Sequence, residues 1–212
     1  MRRVLVASLV LLGACGHHAT TPSAPDMAFA GAFAKHDKVD ILFMMDNSPG
    51  TSPKQNETVK RFPLFIQALD AAAAAGHPAS YHIGVVDSDL GAGPETLNQG
   101  QCHPGGDNGV LQIAPAAGAV LPAGLNCANL KLGDGVRFLE YDQIARTNNI
   151  TGVADLSSAF ACIAAVGPAG CGFEHVLEST YRALSGTVPE NAGFLRIIRR
   201  RWMRWRRRLL RA

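Results

Sequence analysis

Hydrophobic positions along the chain gather either in short continuous runs or at helical spacing. The first run, Val39 to Met45, is interrupted only by Asp40 and stops at the turn formers Asp46-Asn47-Ser48-Pro49-Gly50. A run so short and so apolar predicts a strand buried on both faces, the central strand of a parallel sheet. Val59, Phe62, Ile66, Leu69 and Ala73 then recur at three- and four-residue steps, which predicts a helix with one buried face. Its start reads as Ser52 capping, Pro53 in the first turn and Gln55 closing a Ser-x-x-Gln box. Pro63 predicts a kink, and Gly76 followed by Pro78 a left-handed stop. A second continuous run, Tyr81 to Val86, ends in Asp87-Ser88-Asp89, which reads as a solvated turn. Strand, helix and strand at this spacing make the βαβ unit of a parallel sheet.

Residues 91–135 are rich in Gly, Pro, Asn and Ala without a sustained period, and read as an insertion. Gly105-Gly106 lacks the spacing and the Lys-Ser/Thr ending of a phosphate loop. Val136 to Tyr141 suits a short edge strand. Asp155 is placed to cap a helix through Leu156, Phe160, Ile163 and Val166, closed by Gly167-Pro168. A further helix is expected over Phe173–Leu184, with Phe173, Val176, Leu177, Tyr181 and Leu184 on its buried face. Glu178 and Arg182 make an i,i+4 pair on it.

Charge divides the chain. The net +3 separates into +9 from the nine arginines of Arg196 to Arg211 and −6 from everything else. The basic stretch reads either as a Trp/Arg segment for anionic lipid or nucleic acid, or as the product of a shifted reading frame in a GC-rich gene. At the other end, Arg2 and Arg3 precede an apolar core, Val4 to Leu12, of secretion-signal length. Leu12-Gly13-Ala14-Cys15 resembles a bacterial lipobox, so Cys15 is expected to carry lipid and residues 16–36 to form a tether. Gly16 rather than Asp after the cysteine fits outer-membrane sorting, by resemblance to the sorting rule of enteric lipoproteins. The remaining Cys102, Cys127, Cys162 and Cys171 read as two disulfides of an exported protein. Of three possible connectivities, proximity favours Cys102–Cys127 with Cys162–Cys171. Thiol metal binding is the alternative, but no Cys-x-x-Cys spacing occurs.

Ligands of open α/β sheets sit beyond the carboxyl ends of the strands, where Asp46 and Ser48 fall. A carboxylate with a hydroxyl two residues on suits a hard cation such as Mg²⁺. An apolar strand ending in Asp-x-Ser resembles the opening of a von Willebrand factor A-type domain. The resemblance extends through Asp40–Ser48, His82–Gly91, the Gly-rich Cys102–Gly109 and the run from Ala159 to Thr180, as in a group of secreted, myxobacteria-like lipoproteins. It covers about Val39 to Arg196. It implies a doubly wound, mostly parallel Rossmann-like sheet, incomplete on its C-terminal side because the strand expected after Arg196 is replaced by the basic stretch. It also implies a metal-ion-dependent adhesion site at Asp46 and Ser48. Gly50 stands where that motif has a second serine, with Thr51 and Ser52 able to substitute only if the loop is re-registered. No threonine aligns at Gly170–Glu174, where the motif takes another ligand, and Glu174 is the nearest oxygen donor.

The function these features imply is a lipid-anchored adhesion or binding module of the cell envelope. Its degenerate Mg²⁺ site would engage an unknown protein ligand. An enzyme pairing Asp46 with His82 or His103 is the contrasting reading. No nucleophile elbow, zinc motif or nucleotide fingerprint accompanies it, and catalysis is not expected. Nucleic acid enters only through the basic tail.

Overall fold

The computed structural model describes residues 38–92, 102 and 104–196. The expected leader, Cys15, the tether, His103 and the basic tail lie outside the described residues.

Both continuous apolar runs form strands, β1 (Lys38–Met45) and β2 (Ser80–Asp87). They pair in parallel, from Lys38 opposite Ser80 to Met45 opposite Asp87, and α1 (Ser52–Ala74) connects them. Beyond β2 the sheet departs from expectation. β3 (Leu139–Asp142) and β4 (Thr147–Asn148) each add antiparallel, in the order β1-β2-β3-β4. The class is α/β, with a mixed four-stranded sheet rather than a mostly parallel one. β3 lies between two strands rather than at an edge.

β1 is not the central strand either. Among the described residues no strand pairs with its outer side, and only Met45 in it is fully buried. In β2 every residue after Ser80 is buried. A continuous apolar run reports that both faces of a strand are covered, and both faces of β1 are. It carries no information about neighbours in the plane of the sheet.

On one face Val39, Ile41 and Phe43 join Tyr81, Ile83 and Val85 beneath α1 and α2 (Leu156–Ile163). Phe43 meets Phe62, Phe65 and Phe160 edge-on, at centroid distances of 5.9, 5.6 and 4.8 Å. On the other face Leu42, Met44 and Val86 pack with Leu111, Phe138, Phe194 and Ala183 of α3 (Val176–Ser185). Gly84 makes room for Phe194 there, since a Cβ would stand 2.9 Å from its ring.

The helix ends are partly as expected. Gly76 turns left-handed at φ +92°, and its N–H and that of His77 donate to Ala73 O and Ala72 O, both at 3.0 Å. Asp155 caps α2 by accepting from Ser158 N at 2.7 Å. α1 runs through Pro63 as one helix. Its cap, however, is Thr51 rather than Ser52, and no capping box forms. Gln55 is drawn inward instead. Its Nε2 lies within hydrogen-bond reach of Asp46 O (2.8 Å), Thr51 Oγ1 (3.0 Å) and Gly167 O (2.8 Å), and its two protons tie the loop after β1 to the loop after α2.

α3 is turned relative to its apolar pattern. Ser179 and Ala183 face the core, while Phe173, Leu177 and Tyr181 are exposed. The segment carrying Phe173 is irregular up to His175. The N–H of His175 donates to Ser88 O at 3.0 Å, and this tie fixes how the helix enters.

The disulfides are Cys102–Cys171 and Cys127–Cys162, with Cα atoms 4.5 and 5.6 Å apart. This corrects the pairing by proximity. Cys127 precedes Leu130 and Leu132, which pack into the same core as α2, the helix of Cys162. Cys171 lies at the carboxyl end of β2, where its N–H donates to Asp89 Oδ2 at 3.2 Å. The insertion is therefore stapled to the body at two places and not closed on itself.

Candidate functional site at the carboxyl ends of the parallel strands

Four segments converge where β1 and β2 end: Asp46–Thr51, Asp87–Gly91, the loop 104–112 and the loop 167–175. The N–H of Ser48 donates to Asp46 Oδ1 at 2.8 Å, an Asx turn that sets the loop after β1. Ser88, wholly buried, reaches across from β2. Its hydroxyl lies 3.3 Å from Asp46 Oδ1 and 3.2 Å from Asn47 Oδ1, and it also receives the Asn47 N–H at 3.4 Å. The third segment closes against Asn47. Gly170 N donates to Asn47 O at 2.8 Å, and a Cβ on Gly170 would stand 2.3 Å from the Asn47 amide.

Asp46 is half-buried and Ser48 buried. Both hydrogen bonds that the Asp46 carboxylate accepts among the described residues fall on Oδ1, which leaves Oδ2 for a ligand. Ser52 is the half-buried first residue of α1, freed of the capping role the sequence suggests for it. Thr51 takes that place and its hydroxyl donates to Ser48 O at 2.7 Å. Glu174, the nearest oxygen donor in the second loop, is exposed and meets the site through its backbone, in a bridge with Asp89. Among the described residues no group of three or more His, Cys, Asp or Glu side chains is arranged to hold a metal ion.

The Asp87-Ser88-Asp89 turn is not solvated. The three residues are 1%, 0% and 2% exposed. Each acid is held by internal donors: Asp87 by Asp89 N (3.0 Å) and Gln112 Nε2 (2.6 Å), Asp89 by Gly91 N (2.7 Å) and Cys171 N. Burial, with the Asp107 carboxyl hydrogen-bonded alongside, pushes the Asp87 pKa up to about 8. A hydrophobicity pattern does not reveal this, because a short acidic turn after a strand looks alike whether water or another loop covers it. The covering loop does leave a signal in Gly106. At φ +47° it passes so close that a Cβ would stand 2.4 Å from Asp89 Oδ1.

His82 does not meet Asp46. It lies opposite Asp40, six residues or about 20 Å back along the strand. There its Nδ1 is 2.8 Å from Phe194 O, its ring packs on Phe138, and Asp40 and Glu140 each lie 3.6 Å away. Burial holds its pKa below the usual histidine value. Asp40, the lone charge within the first apolar run, is bound by Arg196, a pairing the sequence reading does not anticipate.

No protein-family model matches the chain, and no curated protein or solved structure is similar to it.

Proposed function

We propose that this chain is a non-catalytic binding module of a bacterial cell envelope, of von Willebrand factor A type. In this reading it is lipid-anchored at Cys15 in the outer membrane and meets a protein ligand with the crest where β1 and β2 end. The observation that carries it is the crest itself: Asp46 stands half-exposed at the mouth of four converging segments, on a floor of fully bonded polar side chains. A loop cluster positioned by rigid strands is where binding residues concentrate.

Asp46, Ser48 and Ser52 are the residues that would hold Mg²⁺ there, and the ion would supply a Lewis-acid contact for a ligand carboxylate. The fit is to a weak site, because one carboxylate suits a Mg²⁺ that keeps most of its water. Calorimetric titration with Mg²⁺ tests it. The expected isotherm is weak and saturable for the unchanged chain and absent for Asp46→Ala; no heat with Asp46 intact removes the metal from the proposal. Labelling with radioactive palmitate, retained by the chain and lost in Cys15→Ser, tests the anchor separately.

A further inference from the structure

Among the described residues β1 forms an open edge of the sheet, since no strand pairs with its outer side. Both of its faces are covered, yet Val39 to Met44 stay half-buried, whereas β2 is buried from Tyr81 to Asp87. The remaining exposure therefore runs along the edge, where backbone N–H and C=O groups face outward. The strand has none of the devices that blunt an edge. It contains no proline, and its register with β2 is one-to-one without a bulge. Its two charges are Lys38 at the start and Asp40, which Arg196 already binds. An uninterrupted apolar edge of this kind is a template for another strand.

We propose that the occupant of this edge is a second copy of the chain, whose β1 adds antiparallel and joins two sheets across a twofold axis at Leu42.

The strand is complementary to itself. A twofold axis perpendicular to the sheet keeps each face on its own side, so each residue meets one that points the same way and the axis passes through a single position. With the axis at Leu42, Ile41 meets Phe43 in the layer under α1 and α2, a β-branched residue against an aromatic one. The same register sets the exposed Lys38 opposite Asp46, whose Oδ2 is open, at both ends of the ladder. An axis at Phe43 would bring Asp40 against Asp46, two acids, and an axis at Ile41 would leave Lys38 facing Met44. Charge thus selects one register of the three. The chain beyond Arg196 suits the edge less well, because the nine arginines of Arg196 to Arg211 would stand beside a strand whose two faces are apolar.

This pairing goes beyond the proposed binding role and does not depend on Mg²⁺. An ion at Asp46 would compete with Lys38, so the pairing is measured in EDTA. Sedimentation of the full chain carrying Cys15→Ser, in mild detergent over a range of concentrations, is expected to show a reversible monomer–dimer equilibrium. Lys38→Glu sets acids opposite Asp46 at both ends and is expected to raise the dimer dissociation constant at least about tenfold. Directly opposed residues have Cα atoms roughly 4.5–5.5 Å apart, within disulfide reach. Leu42→Cys is therefore expected to cross-link two copies under mild oxidation. Val39 meets Met45 in this register and lies about 20 Å from its own counterpart, so Val39→Cys is expected not to cross-link. Should Leu42→Cys not fold, hydrogen exchange of the β1 amides in the otherwise unchanged chain serves, with protection expected to rise with protein concentration. A monomer at every concentration, whatever else covers the edge, overturns the pairing. So does a dimer that Lys38→Glu leaves as tight, Val39→Cys cross-linking as readily as Leu42→Cys, or β1 protection that ignores concentration.

Discussion

Arg196 Nε donates to Asp40 Oδ1 at 2.8 Å while the Arg196 backbone N–H takes Asp40 Oδ2 at 2.9 Å. The rest of the guanidinium spans both parallel strands, reaching Val39 O, Ser80 O and Ser80 Oγ at 2.7–2.8 Å. One side chain thus closes the foot of β1 and β2 opposite the crest. Both partners are largely buried, with side chains 15% and 12% exposed.

Removing one member of such a pair strands the other, which costs about 3 kcal/mol or more. Arg196→Ala is therefore expected to destabilise the chain by roughly that amount in urea unfolding. Asp40→Asn, which keeps an acceptor, is expected to cost less. Equal and small effects for both would show that the pair contributes little.

The pH dependence of stability follows from two groups shifted in different senses. Asp87 binds its proton more tightly folded than unfolded, so from about pH 4 to about pH 8 the native state holds the extra proton and stability falls as pH rises. His82 has a lowered pKa, so below its ordinary value of 6.5 the unfolded chain takes the proton first and stability falls as pH drops. The two oppose each other on the acid side of 6.5 and only the aspartate acts above it. Urea midpoints are expected to decline most steeply between about pH 6.5 and about pH 8, and Asp87→Asn to remove that decline.

The parallel strand pair and its helix are legible in the sequence because continuous apolar runs and three- to four-residue spacing report local burial directly. The crest is legible in position for the same reason, since a strand must end where Asp46 and Ser48 stand. What pattern cannot carry is partnership across the chain. Ser88 looks like a turn residue until Asp46 is beside it, and Asp87 looks solvated until the loop with Asp107 covers it. Asp40 did carry a signal: a charge inside an apolar strand calls for a buried partner.

The disulfide pairing has a stability consequence that distinguishes it from pairing by proximity. Cys127–Cys162 spans 35 residues and Cys102–Cys171 spans 69, and loop-closure entropy assigns about 4 kcal/mol to each. Cys127→Ser together with Cys162→Ser is expected to lower stability by about that much and to leave Cys102 and Cys171 paired, adding no free thiol to the count of the unchanged chain. Under the alternative pairing the same double change would free two. Thiol counting in denaturant decides between them.

The orientation of α3 predicts opposite responses at two neighbouring positions. Leu177 belongs to the apolar spacing of the helix yet is 84% exposed. Leu177→Lys removes little buried area and is expected to change stability by no more than about 0.5 kcal/mol. Ser179 looks like a surface residue yet is wholly buried, donating to the Asp87 carbonyl. Ser179→Leu would lose that hydrogen bond and force a larger side chain against the end of β2, at a cost of about 2–3 kcal/mol. Were the helix turned as its apolar spacing suggests, the ranking would reverse, with Leu177→Lys the costly change. Paired urea titrations of the two variants decide which face of α3 the sheet holds.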